Sequence, residues 1–567
     1  MSGEPLIECV PNFSEGNDLG VIKQITDAIE SVEGVMLLDV DPGKATNRTV
    51  VTFAGPPEPV LEAAFRAARK AAELIDMSKH RGAHPRFGAT DVCPLVPVAN
   101  ITMEQTVELA RRLARRIGEE LQIPVYCYEN AAFCEERRNL ANVRAGEYEG
   151  LKEKLARPEW KPDFGPAVFN PKTGATAVGA RDFLVAYNVN LNTTSQRLAH
   201  EIAMDIREQG RPRLDPATGK ALRDEHGNRI MIPGSLKCVK AIGWYIREYG
   251  VAQVSINLTN IGVTPVHVAF DEVCRKAEAR GVRVTGSELV GLIPLRAMLD
   301  AGRYFLRKQH RSTGVSDREL IKIAVKSLGL NDLYPFKPEE KIVEYAVAAR
   351  KKDKKTSLLD MPLRDFVEET ASESPAPGGG SVSAAVGALG AALATMVANL
   401  SAAKRGWEDR WEEFSEWAER GKRHHDELLR LVDEDTDAFN AVMAAMGLPK
   451  NTEAEKTERD RAIQAATRRA IEVPLRVMET AVSSMDVIRA MAEIGNPNSV
   501  SDAGVAALCA RSAVMGAFLN VQINCPSLED KGYVAEVLEK GRELERRAID
   551  LEKQILQIVS SKLTPAA

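Results

Sequence analysis

The sequence predicts a multidomain protein with two α/β subdomains built on mainly antiparallel sheets, followed by an all-α helical bundle. Three observations predict it. At 567 residues the chain exceeds what one hydrophobic core supports. Short β-rich runs alternate with helical patterns as far as residue 345, and no convincing strand follows the charged run "ARKKDKKTS" (349–357). The expected divisions are 1–182 and 183–345, a linker at 346–357, and a helical domain at 358–567.

In the first division the strands are "LIECVPNF", "VMLLDVD", "RTVVTFAG", "VCPLVPVA" and "IPVYCYE". Between the third and fourth, "PPEPVLEAAFRAARKAAELIDMSKH" carries apolar residues at three- and four-residue spacing. Prolines open it and Gly82 lies just past it, so the spacing predicts a helix ending near His80. "DFGPAVFNPKTGATAVGAR" (163–181) then reads as a long Gly- and Pro-rich loop joining the two α/β units, a position that suits a ligand. From Phe183 strand and helix patterns follow in the order βαββαβ, which is ferredoxin-like. A polar, turn-rich insertion at 211–235 reads as a surface loop or small hairpin, and helices near 293–309 and 317–328 close this half.

Composition limits the partners. The net charge of -5, with both signs interspersed, offers no basic face for a phosphate backbone, so nucleic acid is not expected. Eight scattered cysteines without a Cys-x-x-Cys pair read as reduced cytosolic thiols, and nothing near the start reads as a secretory signal. The uncharged stretch 376–403 is long enough to span a membrane. It is mostly Ala, Gly and Ser, however, and reads as a buried helix that lets its neighbours approach closely.

"SKHRGAHPR" (78–86) holds two histidines four apart, with three readings: a metal site, acid and base catalysis, or two polar loop residues. Gly82 and Pro85 break any helix that would present both rings to one metal, so none is expected. His84, pushed extended by Pro85, would share a side with Arg86 and suits a proton carrier beside an anionic substrate. In "LLDVDPGKATNRTVV" one strand ends at Asp41 and the next begins at Arg48, so Asp41, Asn47 and Arg48 gather at one edge or form a solvated turn. In "HDELLRLVDEDTDAFNAVMAAM", Asp435 falls within the stripe Leu428, Leu431, Val432, Ala438, Phe439 and Val442. It is therefore either a general acid and base or a structural Asp paired with Arg or Asn. "PGGGS" (377–381) opens the uncharged helix with backbone N–H groups that suit a carboxylate or phosphate. The loops "GLPKNTEAEK", with Lys450, and "GNPNSVSDAG" begin helices, and caps account for most of their polar groups.

Taken together, "ECVPNFSEG", "LLDVD", "TNRTV", "LIDMSKHRGAHPR", "DVCP", "RAGEYE", "PDFGP", "GATAVGAR", "QVSINL" and "LVGL", then "APGGGSV", "LVDEDTDAF" and "LPKNT", resemble the formiminotransferase-cyclodeaminase family of histidine degradation over essentially the whole chain. The insertion at 211–235 is longer than that family's usual one. The resemblance implies transfer of a formimidoyl group from N-formimidoyl-L-glutamate to N5 of tetrahydrofolate, then closure to 5,10-methenyltetrahydrofolate with release of ammonia. It places the catalytic groups on His84 and Asp435 and a folate loop on Gly165, Pro166 and onward to Gly174. Asp41, Asn47, Arg48 and Arg86 would serve the transferase, and Gly378, Gly379, Gly380, Ser381 and Lys450 the deaminase. It further implies a polyglutamylated folate co-substrate, no metal, a cytoplasmic protein, and a homodimer or higher homo-oligomer. The competing expectation is a folate-dependent formyl or formimidoyl transferase whose helical part serves only oligomerisation.

Overall fold

The computed structural model describes residues 5–43, 47–82, 85–350 and 357–563. The chain divides into two compact units, Met1–Ala301 with Val325–Lys352, and Gly302–Ala324 with Asp353–Ala567.

The first unit opens with β1 (Leu6–Cys9) and β2 (Asn12–Phe13), α1 (Leu19–Glu30), β3 (Met36–Gly43), β4 (Arg48–Gly55) and α2 (Pro57–Leu74). It continues with β5 (Thr90–Ala99), α3 (Met103–Leu121), β6 (Val125–Glu129), α4 (Leu140–Arg144), α5 (Glu147–Leu155) and β7 (Thr176–Ala180). β1 and β2 act as one strand interrupted at Pro11, which has no N–H to give the ladder; both pieces pair with β4 and with β5. β3 flanks β4, and the far side of the sheet is parallel, β5 to β7 to β6. Helices α1 to α3 bury Ile25, Phe65 and Leu113 against Phe13, Phe53 and Leu95 on one face. On the other, α4 and α5 cover Phe87, Tyr126 and Tyr128.

Two expectations are corrected here. α2 stops at Leu74, well short of His80, because Ile75 is extended and Asp76 Oδ1 accepts from both the amide (3.1 Å) and hydroxyl (2.6 Å) of Ser78. Met77 then donates its amide to Lys172 O at 2.9 Å, which turns the segment toward the 165–174 loop. That loop is also shorter than expected, because its end is the buried strand β7 between β5 and β6. "TAVGA" lacks large apolar residues because there is no room for them: a Cβ on Gly179 would lie 2.6 Å from the Tyr128 ring.

The second part of this unit holds β8 (Val185–Leu191), α6 (Gln196–Ile206), β9 (Arg211–Pro212), β10 (Met231–Ile232), β11 (Val239–Ile246), β12 (Val251–Leu258), α7 (Val266–Glu278) and β13 (Val284–Val290). The four-stranded sheet runs β11-β12-β8-β13, antiparallel throughout, the arrangement that βαββαβ order gives in a ferredoxin-like fold. The 211–235 insertion folds as a hairpin arm on β9 and β10. α8 (Leu295–Lys308), α9 (Asp317–Leu328), α10 (Pro338–Lys341) and α11 (Val343–Arg350) follow.

The second unit is helical: α12 (Leu363–Thr370), α13 (Gly379–Ala402), α14 (Trp411–Met446), α15 (Glu453–Ile494), α16 (Val500–Asn524) and α17 (Lys531–Leu563). α13 is the stretch that imitates a membrane span. Two helical stretches, Gly379–Ala402 and Pro497–Ser527, are long and apolar enough to cross a bilayer, and most of the apolar window of α13 is buried within the protein. Its small residues allow close approach: a Cβ on Gly387 would lie 3.1 Å from Ala513 Cβ, and one on Gly390 would lie 2.9 Å from Ala506 O. The segment Gly302–Ala324 groups with these helices rather than with the α/β half. Ser312 Oγ donates to Asn399 Oδ1 (2.6 Å), Asn399 Nδ2 to Gly314 O (2.9 Å) and the Thr313 amide to Ser415 Oγ (3.0 Å).

Candidate active sites

In the first unit Asn47 just before β4, the segment after α2 and the 165–174 loop come together. Asn47, at φ 47°, acts as a clasp: its Oδ1 accepts from the Gly16 amide (3.0 Å) and Asn17 Nδ2 (2.8 Å), while its Nδ2 donates to Arg81 O (2.9 Å). Gly16 fits there because a Cβ would lie 2.5 Å from Gly43 O. His80 is buried. Arg86 Nε donates to its Nδ1 at 3.2 Å, so the proton sits on Nε2, which donates to Asn47 O at 2.8 Å. Both ring nitrogens are thereby engaged, leaving no lone pair for a metal. Among the described residues no three His, Cys, Asp or Glu side chains gather as a metal site.

His84 lies outside the described residues. Arg86, expected to serve the transferase, has its guanidinium already engaged within the protein. Arg86 is buried, forked onto Glu149 at 2.9 and 2.8 Å and 3.3 Å from Glu147, and the two glutamates hold its guanidinium strongly charged. It therefore ties His80 to α5. Asp41 is exposed opposite Val50, and Arg48 lies opposite Gly43 on the same strand pair, so both side chains share a face. The 165–174 loop exposes Gly165, Ala167 and Val168, with Pro166 half-buried. It is held by Tyr148 Oη donating to Pro171 O (2.6 Å) and Lys172 Nζ donating to Glu73 O (2.8 Å). Gly165 (φ 79°) and Gly174 (φ 63°) are its hinges, and a Cβ at either would meet a carbonyl oxygen at 2.2 Å.

Sequence reasoning missed Asp91 and Arg144. Asp91 is fully buried, accepts the Phe87 amide at 3.1 Å and pairs with Arg144. Burial pushes its carboxyl up, against the pull of Arg144. An acid in the apolar run "GATDVCPLVPV" was the available signal.

In the second unit Asp435 lies within the expected stripe. Leu428, Leu431, Val432 and Ala438 are buried, whereas Phe439 and Val442 are only half-buried. Ser381 Oγ donates to Asp435 Oδ2 at 2.9 Å, and the Ser381 amide also binds the carboxylate, so Asp435 caps the first turn of α13 from a distance. Burial pushes its carboxyl up and these two bonds partly offset that; among the described residues no cation counters it. A Cβ on Gly380 would lie 2.1 Å from Asp435 Oδ1, so only glycine leaves room. Gly379 lies beside Asn520, and Gly378 precedes the helix without a side-chain cap. Ser381, read as a ligand donor, has its amide and hydroxyl committed to Asp435. Lys450 is exposed in the loop before α15, whose start is a capping box of Thr452 and Glu455.

Comparison with known proteins assigns each part. Residues 6–181 match the model of the formiminotransferase domain's N-terminal subdomain, 186–348 that of the formiminotransferase domain, and 362–543 that of formiminotransferase-cyclodeaminase. The formimidoyltransferase-cyclodeaminase of Sus scrofa is 46% identical over 94% of this chain and 95% of its own. The chain belongs to the formiminotransferase-cyclodeaminase family. Within this family member the halves also have separate relatives. The glutamate formimidoyltransferase of Thermoplasma acidophilum is 42% identical over 56% of this chain and 98% of its own. The methenyltetrahydrofolate cyclohydrolase of Methylorubrum extorquens is 37% identical over 35% of this chain and 97% of its own.

Proposed function

We propose that this chain transfers the formimidoyl group of N-formimidoyl-L-glutamate to N5 of tetrahydrofolate, then closes 5-formimidoyltetrahydrofolate to 5,10-methenyltetrahydrofolate with release of ammonia. The observation that carries the reading is a half-buried carboxyl, Asp435, raised by desolvation and held at the glycine-rich start of α13. A pure packing face gains nothing from such a group. It is, however, what the second reaction requires. With the formimidoyl group as its amidinium, N10 attacks the carbon, the bond from that carbon to the terminal NH2 breaks, and the departing nitrogen takes its third proton from Asp435 and leaves as ammonia. The N10 proton then returns the acid to its starting state.

In the first reaction N5 attacks the same carbon and the glutamate amine leaves, so one nitrogen loses a proton and the other gains one. His84 is the proposed shuttle. Asn47 and Arg86 hold the chain on either side of it through His80. Asp41 and Arg48 line the adjoining strand edge, and the loop from Gly165 and Pro166 to Gly174 is the proposed folate rest. The Gly378–Gly380 amides beside Asp435, and Lys450 in the loop before α15, are proposed to meet the carboxylates of a polyglutamylated tail. The working divisions are the transferase at 1–182 and 183–345, a linker at 346–357, and the cyclodeaminase at 358–567.

The protein is proposed to work in the cytoplasm as a homodimer or higher homo-oligomer. Its eight cysteines are free thiols, which supports the compartment. Assembly is supported by apolar side chains that the helical unit leaves at its surface: Leu389, Met396 and Leu400 on α13, and Val505, Leu508, Leu519 and Ile523 on α16. The deciding experiment adds N-formimidoyl-L-glutamate and tetrahydrofolate to the purified protein and follows ammonia and methenyl-folate absorbance. Both should rise together, and neither rising defeats the proposal. His84→Ala should lose transfer and keep deamination, with Asp435→Ala doing the reverse.

A further inference from the structure

The face of the first sheet turned away from α1 to α3 carries a charged cluster in which the proposed chemistry gives a place to Asp41 and Arg48 but none to Asp91 and Arg144. Val50 lies opposite both Asp41 and Asn12, and Asn12 lies opposite Val92, so these residues share a face. Arg48, two residues from Val50 along β4, belongs to it as well. The pairing of Asn12 with Val92 and of Phe13 with Thr90 leaves Asp91 as the extra residue of a β-bulge, a device that re-aims a side chain.

Two guanidiniums converge on that buried carboxylate. Arg144 forms an ion pair with Asp91, and Arg48 lies close enough for each of the other two to act on it. Asp41 also acts on Arg48, but it is exposed and solvent screens it. Arg144 Nε is buried with no hydrogen-bond partner among the described residues. A buried polar atom left unsatisfied is costly, and a guanidinium N–H in that state beside a second cation suits an incoming anionic acceptor. The site is reachable, since 15% of the Arg144 side chain is exposed and Arg48 is half-buried.

We propose that Arg144, with Arg48 beside it, forms a subsite for a glutamyl carboxylate of the transferase substrates. Asp91 is its positioning residue: one oxygen engages Arg144 while the other accepts the Phe87 amide, which fixes how the guanidinium is presented. The inference rests on the transferase reading. Both N-formimidoyl-L-glutamate and the folate tail carry such a carboxylate, so the test must separate them.

Arg144→Lys keeps a cation for Asp91 and loses the planar fork; the double variant Arg144→Gln/Asp91→Asn removes both charges. For each, the KM of N-formimidoyl-L-glutamate is measured at saturating tetrahydrofolate and the KM of tetrahydrofolate at saturating donor. One KM should rise about tenfold to hundredfold with kcat held within about threefold, and which one rises names the carboxylate. Both KM values unchanged, or kcat lost with both KM values intact, overturns the subsite. A readout independent of folding in the variants uses the unmodified enzyme with the α- and γ-carboxamides of the donor and with tetrahydropteroate. Use of all three as well as the parent substrates also overturns it. An unmodified enzyme that transfers nothing to tetrahydrofolate instead removes the transferase reading beneath it.

Discussion

Ser381 and Asp435, 54 residues apart, meet through a 2.9 Å hydrogen bond that places the one carboxylate of an apolar helix stripe at the start of another helix. Burial holds that carboxyl above the ordinary aspartate range. A general acid is active while protonated, so ammonia release should decline as pH rises through the Asp435 value. Asp435→Asn should cut it about 10²- to 10⁴-fold while leaving formimidoyl transfer intact. The stability sign follows from the same shift. An acid raised by folding contributes stability below its unfolded range, which is lost as pH climbs through the folded value. The Asn variant still accepts from Ser381 and carries no charge, so it should melt above the wild type on the alkaline side of that window, as calorimetry against pH would show.

Gly380→Ala should disable the same site sterically. Its Cβ would stand 2.1 Å from Asp435 Oδ1, and helix α13 is packed too closely to retreat. The expected cost is about 1–3 kcal/mol, with deamination lost and transfer retained. Urea unfolding alongside both assays checks it, and deamination at the wild-type rate would refute the close contact.

Arg86→Leu should weaken the transferase half through His80. The substitution leaves His80 Nδ1 without its donor and removes the tie to α5, at about 1–3 kcal/mol. Glu149→Gln should cost far less, about 0–1 kcal/mol, because Glu149 is exposed and rehydrates easily. Denaturant midpoints for the two variants should therefore separate clearly.

Glu8 gives a pH prediction of its own. Burial in β1 raises its carboxyl to about 7, with Arg181 pulling down and Glu344 pushing up. Its contribution is complete below the ordinary glutamate range and is lost as pH rises through about 7. Glu8→Gln keeps the volume without the charge. It should gain up to about 3 kcal/mol over the wild type near pH 9 and little near pH 4, as read from denaturant titrations at the two values.

β4 and β5 were legible because both are short β-rich runs that the fold buries almost throughout, and the helical unit because its apolar positions recur at helical spacing. β7 was not legible. Its identity as a strand comes from the space between β5 and β6, which admits only small side chains and so erases the usual β-rich signal. The end of α2 was misplaced for a related reason: Met77 gives its amide to Lys172, 95 positions onward, and no local pattern reports such a partner.

Within the sites the same division holds. Asp435 stood out in one dimension because a carboxylate on an apolar stripe breaks a helical period that anyone can count. The partners of Arg86, Glu147 and Glu149, were not legible because they come from a helix 61 and 63 residues away. The amino-acid order by itself determined the helical unit, the βαββαβ half and the family, since periodicity and motif are written locally. Tertiary structure alone decided which charges are already neutralised and which buried acid is left beside two arginines, because Coulomb interactions and desolvation depend on distance in space rather than along the chain.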